Sequence, residues 1–333
     1  MTPMLAPLVG DAPTVTFIGL CKNAGKTTAM CRLIEELSGE TLAMTSVGRD
    51  GERTDVVTGT EKPEIWVRSG TLFATARGML PLCDTTLRVE GVTDVMTPLG
   101  AVGVFRALSD GFIQLAGPSA VNQLGPLSQT FRALGAQRVL IDGAAGRKSL
   151  AGAEAGATAV LCVGASVDGG IPFIAAETAH ICQLFAAPEA EDPGLHAVLD
   201  TEEARYALFS LQGERLPLEL EQSGQPAWHT LPREHCVLWI GGGITGPLLR
   251  TLARRGAPLT VAAPDATHFL CDRGSAETFR RCGGSLMVAR RLRIAAVTAN
   301  PWSAYGKHLD GPALLAALRE VVDVPVVDVR QEA

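Results

Sequence analysis

Apolar and polar positions follow two rhythms along this chain of 333 residues. Thr14 to Gly19 is a short apolar, β-rich run that ends at a glycine turn. Lys26 to Leu37 then shows helical spacing, with Ala29, Leu33 and Leu37 on one face and Cys31 and Ile34 beside them. Leu42 to Val47 reads as a second strand. Ser119 to Leu134 reads as a helix, Arg138 to Asp142 and Ala159 to Gly164 as buried strands, and Ile174 to Phe185 as a further helix. Strands alternating with helices imply a mostly parallel sheet with right-handed crossovers.

The rhythm then breaks. Ala186 to His196 holds Pro188, Glu189, Glu191, Asp192 and Pro193 and reads as a linker or exposed loop, and Gln212 to Glu234 is irregular. From Cys236 the alternation resumes. A strand ends at Ile240, glycines 241 to 243 make a tight turn, and a helix runs from Pro247 to Arg254. Strands at Leu259–Ala263 and Ile294–Thr298, a helix at Pro312–Val321 and a last strand at Pro325–Val329 follow. The expected architecture is α/β. A mostly parallel sheet of the P-loop NTPase type, flanked by helices, occupies 1–195, and a smaller α/β unit occupies 200–333.

Composition adds exclusions. Hydrophobic residues make up 47% and charged residues 19%, so a sizeable core is affordable and wholesale disorder is not expected. The formal net charge is -6, and basic clusters such as Arg290, Arg291 and Arg293 are local, so no nucleic-acid partner is expected. No apolar run approaches the roughly 18–20 residues that span a bilayer, and Met1 to Asp11 lacks the basic start of a signal peptide. The eight cysteines show no C-x-x-C spacing, which suits free thiols in a reducing cytoplasm. The six histidines show no metal-binding spacing.

The chemistry concentrates in F-I-G-L-C-K-N-A-G-K-T-T, residues 17 to 28, between a predicted strand and a predicted helix. A helix N-terminus presents unpaired N–H groups and partial positive charge. The run Cys21, Lys22, Asn23, Ala24, Gly25, Lys26, Thr27 and Thr28 would cradle a nucleotide. Gly25 lets the backbone approach phosphate, Lys26 reaches the β- and γ-phosphates, and the Thr27 hydroxyl ligates Mg2+. The usual first glycine falls at Leu20 and Gly19 sits one residue earlier, so the first turn is altered or the loop is one residue longer. Lys22 is a catalytic candidate, similar to the lysine that dimerising P-loop ATPases extend to a partner's nucleotide. It stands four residues before Lys26 rather than five, and a solvated loop lysine is the alternative. Asp142, ending V-L-I-D, would hold a water on the metal. In T-S-V-G-R-D-G-E (45 to 52), Asp50 is the first choice for a carboxylate at metal and attacking water, then Glu52 and Asp55. The N-K-x-D guanine signature is absent, so ATP is preferred to GTP.

Four blocks in order, K-N-A-G-K-T-T, T-S-V-G-R-D-G-E, I-D-G-A-A-G-R-K-S-L-A and V-T-A-N-P-W-S, resemble the small P-loop subunit of the lysine 5,6-aminomutase reactivase family. The resemblance implies a partnership with a MutS-related ATPase. Together the two restore an adenosylcobalamin-dependent lysine 5,6-aminomutase by promoting exchange of damaged cobalamin, a chaperone-like role. It also implies that Arg49, Asp50, Arg147, Lys148 and Ser149 line the site or its switch region. The chain departs from the family at Ala145-Gly146 and at His268, which bears on partner contacts. Two other classes share the loop: ATP-dependent ligases such as dethiobiotin synthetase, and accessory proteins resembling the molybdopterin-guanine dinucleotide partner. A homodimer fits the reading of Lys22 as a lysine that reaches across.

Overall fold

A computed structural model describes residues 4–48, 64–143, 156–303, 306 and 308–330. The chain forms two compact units. One comprises Met1–Ala179 with Arg293–Ala333, the other His180–Leu292.

The first unit opens with a short helix α1 (Ala6–Val9), then β1 (Thr14–Gly19), α2 (Lys26–Glu36) and β2 (Leu42–Ser46). Five strands with antiparallel pairings follow: β3 (Ile65–Val67), β4 (Leu72–Ala76), β5 (Leu87–Thr97), β6 (Gly100–Ala107) and β7 (Gly111–Ile113), with β6 between β4 and β5 and β3 paired to β7 in a sheet of their own. Helix α3 (Leu124–Ala133) starts after a 3-10 turn at Val121–Gln123, so the expected helix is shorter at its start. Strands β8 (Arg138–Asp142) and β9 (Thr158–Gly164) and helix α4 (Gly170–Phe185) complete this stretch, and the division between the units falls inside α4.

The second unit contains α5 (Pro193–Thr201), β10 (Tyr206–Phe209), β11 (Arg215–Leu216), β12 (Cys236–Ile240), β13 (Ile244–Thr245) and α6 (Gly246–Ala253). It continues through β14 (Leu259–Ala263), β15 (Phe269–Leu270), α7 (Arg273–Arg281) and β16 (Gly284–Val288). Its five-stranded sheet runs β11-β10-β12-β14-β16, with β12, β14 and β16 parallel. The segment expected to be a linker is part of this unit. Asp192 caps α5 by accepting from the Leu195 N–H at 2.9 Å, and Leu195 and Leu199 pack on Phe209, Val237 and Trp239. The buried Trp239 indole donates to the Ala204 carbonyl at 2.9 Å, so the ring is covered without an orphaned N–H.

The chain then returns to the first unit as β17 (Arg293–Asn300), α8 (Gly311–Val321) and β18 (Val326–Val327). The large sheet runs β18-β17-β9-β1-β8-β2-β4-β6-β5, parallel from β18 to β4 and antiparallel beyond. The second unit is therefore an insertion. The division expected at 195–200 is corrected to 180 and 292, because two strands from the end of the chain pair beside β9.

The sheet is covered on both faces, which explains its apolar runs. On one face, Val15, Phe17, Met44, Leu140 and Val160 meet Met30, Leu33 and Ile34 of α2. On the other, Ala43, Leu72, Val139 and Ile141 meet Leu124, Leu127 and Phe131 of α3. Leu140 points one way and its neighbours Val139 and Ile141 the other, the two-residue period of a strand. Phe17 is fully buried beside the site, and truncating it to alanine would cost about 3–5 kcal/mol. Among the described residues no helix is long and apolar enough to cross a membrane.

Candidate functional site

Strand β1 lies between β8 and β9 in the middle of the sheet, every residue buried. Its Gly19 end brings the next residues to the carboxyl ends of the parallel strands, where α/β sheets place ligands. The loop Leu20–Gly25 is anchored on both sides. The Leu20 N–H donates to the Cys162 carbonyl of β9 at 3.1 Å, and Ala24 is fully buried in the α2 core. Asn23 adopts φ +62°, the one positive φ of a non-glycine among the described residues, a conformation asparagine tolerates better than most. Gly25 has φ +93°, and a side chain there would also press on Asn300 Cβ at 3.3 Å.

Gly25 is the N-cap of α2. No side chain caps the helix and its first turn holds no acid, so the opening N–H groups and their partial positive charge are matched by nothing of that kind. Lys26 folds back over the end of β1, for a Cβ placed on Gly19 would lie 3.0 Å from Lys26 Nζ. Gly19, one position early for the usual spacing, is therefore the bare surface against which the lysine lies.

Thr27 donates its hydroxyl to Asp142 Oδ2 at 3.2 Å. Pairing of β1 with β8 sets Phe17 opposite Asp142 and so carries the carboxylate to the start of α2. A hydroxyl and a carboxylate side by side are hard oxygen donors of the kind that suit a divalent cation. Among the described residues no three His, Cys, Asp or Glu side chains converge as a metal cage, so such a cation would draw its other oxygens from ligand and water. The carboxylate's field is felt nearby. Burial, then the charges of Asp142 and Glu35, push the Cys31 thiol up to about 12.

The Cys21 thiol is also raised, by burial first and by Asp168, with Lys26 opposing. It is therefore a neutral group at neutral pH, filling the loop rather than reacting. Lys22 is exposed on the same loop, and Thr28 lies in the first turn of α2. The structure thus brings together Gly25, Lys26, Thr27 and Asp142. Arg49, Asp50, Glu52, Asp55, Ala145, Gly146, Arg147, Lys148 and Ser149 lie outside the described residues.

Two partners of the loop escaped sequence reasoning. Asn300 ends β17 opposite Gly164 and packs against Gly25. Ser166 donates to the Asn23 carbonyl at 3.4 Å and sits 3.4 Å from Ser303 Oγ. A polar residue at the end of a buried parallel strand was the available signal for Asn300.

A second glycine turn lies in the other unit. With Gly246, glycines 241 and 243 complete a G-x-G-x-x-G spacing that their reading as a simple turn overlooks. A Cβ on Gly246 would overlap the Asp272 carboxylate, and His268 sits at the end of a 3-10 turn after β14, 3.6 Å from Asp265. Comparison of the chain with known protein families, curated proteins and solved structures finds no match.

Proposed function

We propose that this chain binds ATP with Mg2+ at the loop between β1 and α2 in the manner of a P-loop NTPase. We further propose that it serves as the nucleotide-responsive subunit of a factor that reactivates an adenosylcobalamin-dependent lysine 5,6-aminomutase. The observation that carries the nucleotide reading is the Thr27–Asp142 pair at a glycine-capped helix start, with Lys26 folded over Gly19. The fit is chemical. Side chains at positions 19 and 25 would intrude on Lys26 and Asn300, and the groups present are N–H donors, an ammonium, a hydroxyl and a carboxylate. The opening N–H groups of α2 would receive phosphate oxygens, and Lys26 would balance their charge. Thr27 and Asp142 would hold the cation. Bound magnesium would neutralise charge on the phosphates.

The reactivase reading rests on the four resembling blocks. They gain support from topology, since three of them span the ends of β2, β8 and β17, at Ser46, Asp142 and Asn300, on the side of the sheet where the loop lies. A γ-phosphate that orders neighbouring loops can alter the grip on a partner only if the two nucleotide states differ in affinity for it. The test mixes the protein with ATP, Mg2+, its MutS-related partner and a deliberately inactivated aminomutase, then supplies fresh adenosylcobalamin. Turnover should recover with the wild type and not with Lys26→Ala. Equal recovery without the protein rejects the reactivase role. Asp50→Asn should leave ATP binding intact and slow hydrolysis, as a water-orienting carboxylate acts mainly in the transition state.

A further inference from the structure

The segment after β17 is braced against the loop on both sides of one exposed aromatic ring. On the near side, Asn300 packs on Gly25, and its backbone carbonyl accepts from the Ala165 N–H at 2.9 Å. Its side-chain Oδ1 accepts from the Trp302 N–H at 3.2 Å. On the far side, Ser303 Oγ lies 3.4 Å from Ser166 Oγ, which donates to the Asn23 carbonyl. The Leu309 N–H donates to the Pro301 carbonyl at 2.9 Å, and Trp302 pairs with His308 as an antiparallel bridge.

Trp302 thus sits between Asn300, which touches Gly25, and Ser303, which is linked to Asn23 through Ser166, yet the residue is 53% exposed. His308 meets it with ring centroids 4.4 Å apart at 61°, an edge contact that supports the indole. An exposed indole on a tethered segment can take something flat upon its ring. A nucleoside triphosphate held by its phosphates carries such a group, a base with a π-face, and stacking on aromatic side chains is how proteins hold bases without reading their edges.

We propose that Trp302, supported by His308, is the platform on which the purine base of the bound nucleotide stacks. This rests on the reading of the β1–α2 loop as a triphosphate site. Purines present the larger face, so ATP and GTP should bind more tightly than CTP or UTP.

The test compares ATP and inorganic tripolyphosphate, each with Mg2+, by calorimetry on wild type, Trp302→Ala and Trp302→Phe. Trp302→Ala should bind ATP about tenfold or more weakly and tripolyphosphate as before, and Trp302→Phe should recover most of the loss. ATP should also perturb indole emission in the wild type more than in Trp302→Phe. Unchanged ATP affinity in Trp302→Ala overturns the platform, as does tripolyphosphate matching ATP on the wild type. In those cases a protein partner is the better occupant of the ring. A wild type that binds neither ligand overturns the triphosphate site itself and the platform with it.

Discussion

Strand β1 leads through Gly25 into α2, and strand β12 leads through glycines 241 to 243 into α6. Both strands are buried and have parallel neighbours, and both turns approach helix starts closely. They differ in charge. At α2 the first turn holds no acid, Lys26 lies over Gly19, and the nearby Asp142 carboxylate accepts from the Thr27 hydroxyl. α6 likewise has no side-chain cap and no acid in its first turn, but the Asp272 carboxylate stands where a side chain on Gly246 would go, and Arg250 reaches that carboxylate at 3.4 Å. Asp272 is held below the usual carboxylate range by the hydroxyl and then the N–H of Ser275, so it is ionised at neutral pH. An anion thus already lies beside the start of α6, and Asp272 also caps α7. Glycines allow close approach; the charges beside the helix decide whether a ligand's anion is wanted.

The sharpest break of this comparison swaps the cations. Lys26→Ala should lower ATP affinity at least about a hundredfold by calorimetry, since the proposed charge-assisted contact to phosphate would be lost. Arg250→Ala should leave it unchanged, and the reverse pattern would move the site to the second unit. Asp142→Asn should weaken Mg2+-dependent binding about ten- to a hundredfold while binding without metal stays closer to wild type. Equal affinities with and without Mg2+ in both proteins would remove the metal role.

A third test uses acid to probe the α2 unit. Glu36 accepts from the Leu5 and Ala6 N–H groups at 2.8 Å and from Arg32 at 2.6 Å, tying α1 to the end of α2. Burial acts to raise its carboxyl, but the hydrogen bonds outweigh it and hold the group below the ordinary range. The folded value is the lower one, so the stabilisation is complete above the unfolded carboxylate range, about 4.3, and is lost as pH falls through the folded value. Wild type should lose melting temperature between pH 5 and 3, and Glu36→Gln should start lower and fall less. Parallel curves would discount Glu36. The smallest effect belongs to Asp272→Asn. A weakened cap on α7 should cost up to about 1 kcal/mol, a drop of a few degrees in melting temperature at most, with nucleotide affinity unaltered. A new weak ATP site in the Lys26→Ala/Asp272→Asn double variant would show that charge alone had closed the second turn.

Much of this was legible in the residues. Strands and helices built from one dominant period, such as Thr14–Gly19, Lys26–Leu37 and Arg138–Asp142, appear within a residue or so of their expected ends. The antiparallel strands from Ile65 to Ile113 went unread. They are short or bulged, and β5 sits at the edge of the sheet with Val89, Val92 and Met96 exposed, so burial imposes no clean alternation. Helix α7 was also unread. It is short and mostly polar, and only Ser275, Ala276 and Phe279 face inward.

The sequence by itself determined the strand–loop–helix with Lys26 and Thr27, and a carboxylate at the end of an apolar strand. These depend on local periodicity and on residue types whose chemistry is their own. Tertiary structure decided which strand lies beside which. It put β17, and β18 with it, in the first sheet, which no local pattern can announce, because β17 and its partner β9 lie more than a hundred residues apart and share only their buried apolar character. That placement sets Asn300 against Gly25, while β1–β8 pairing sets Asp142 on Thr27. Folding of the second unit likewise set Asp272 on Gly246, separating two turns that look alike as strings of glycine.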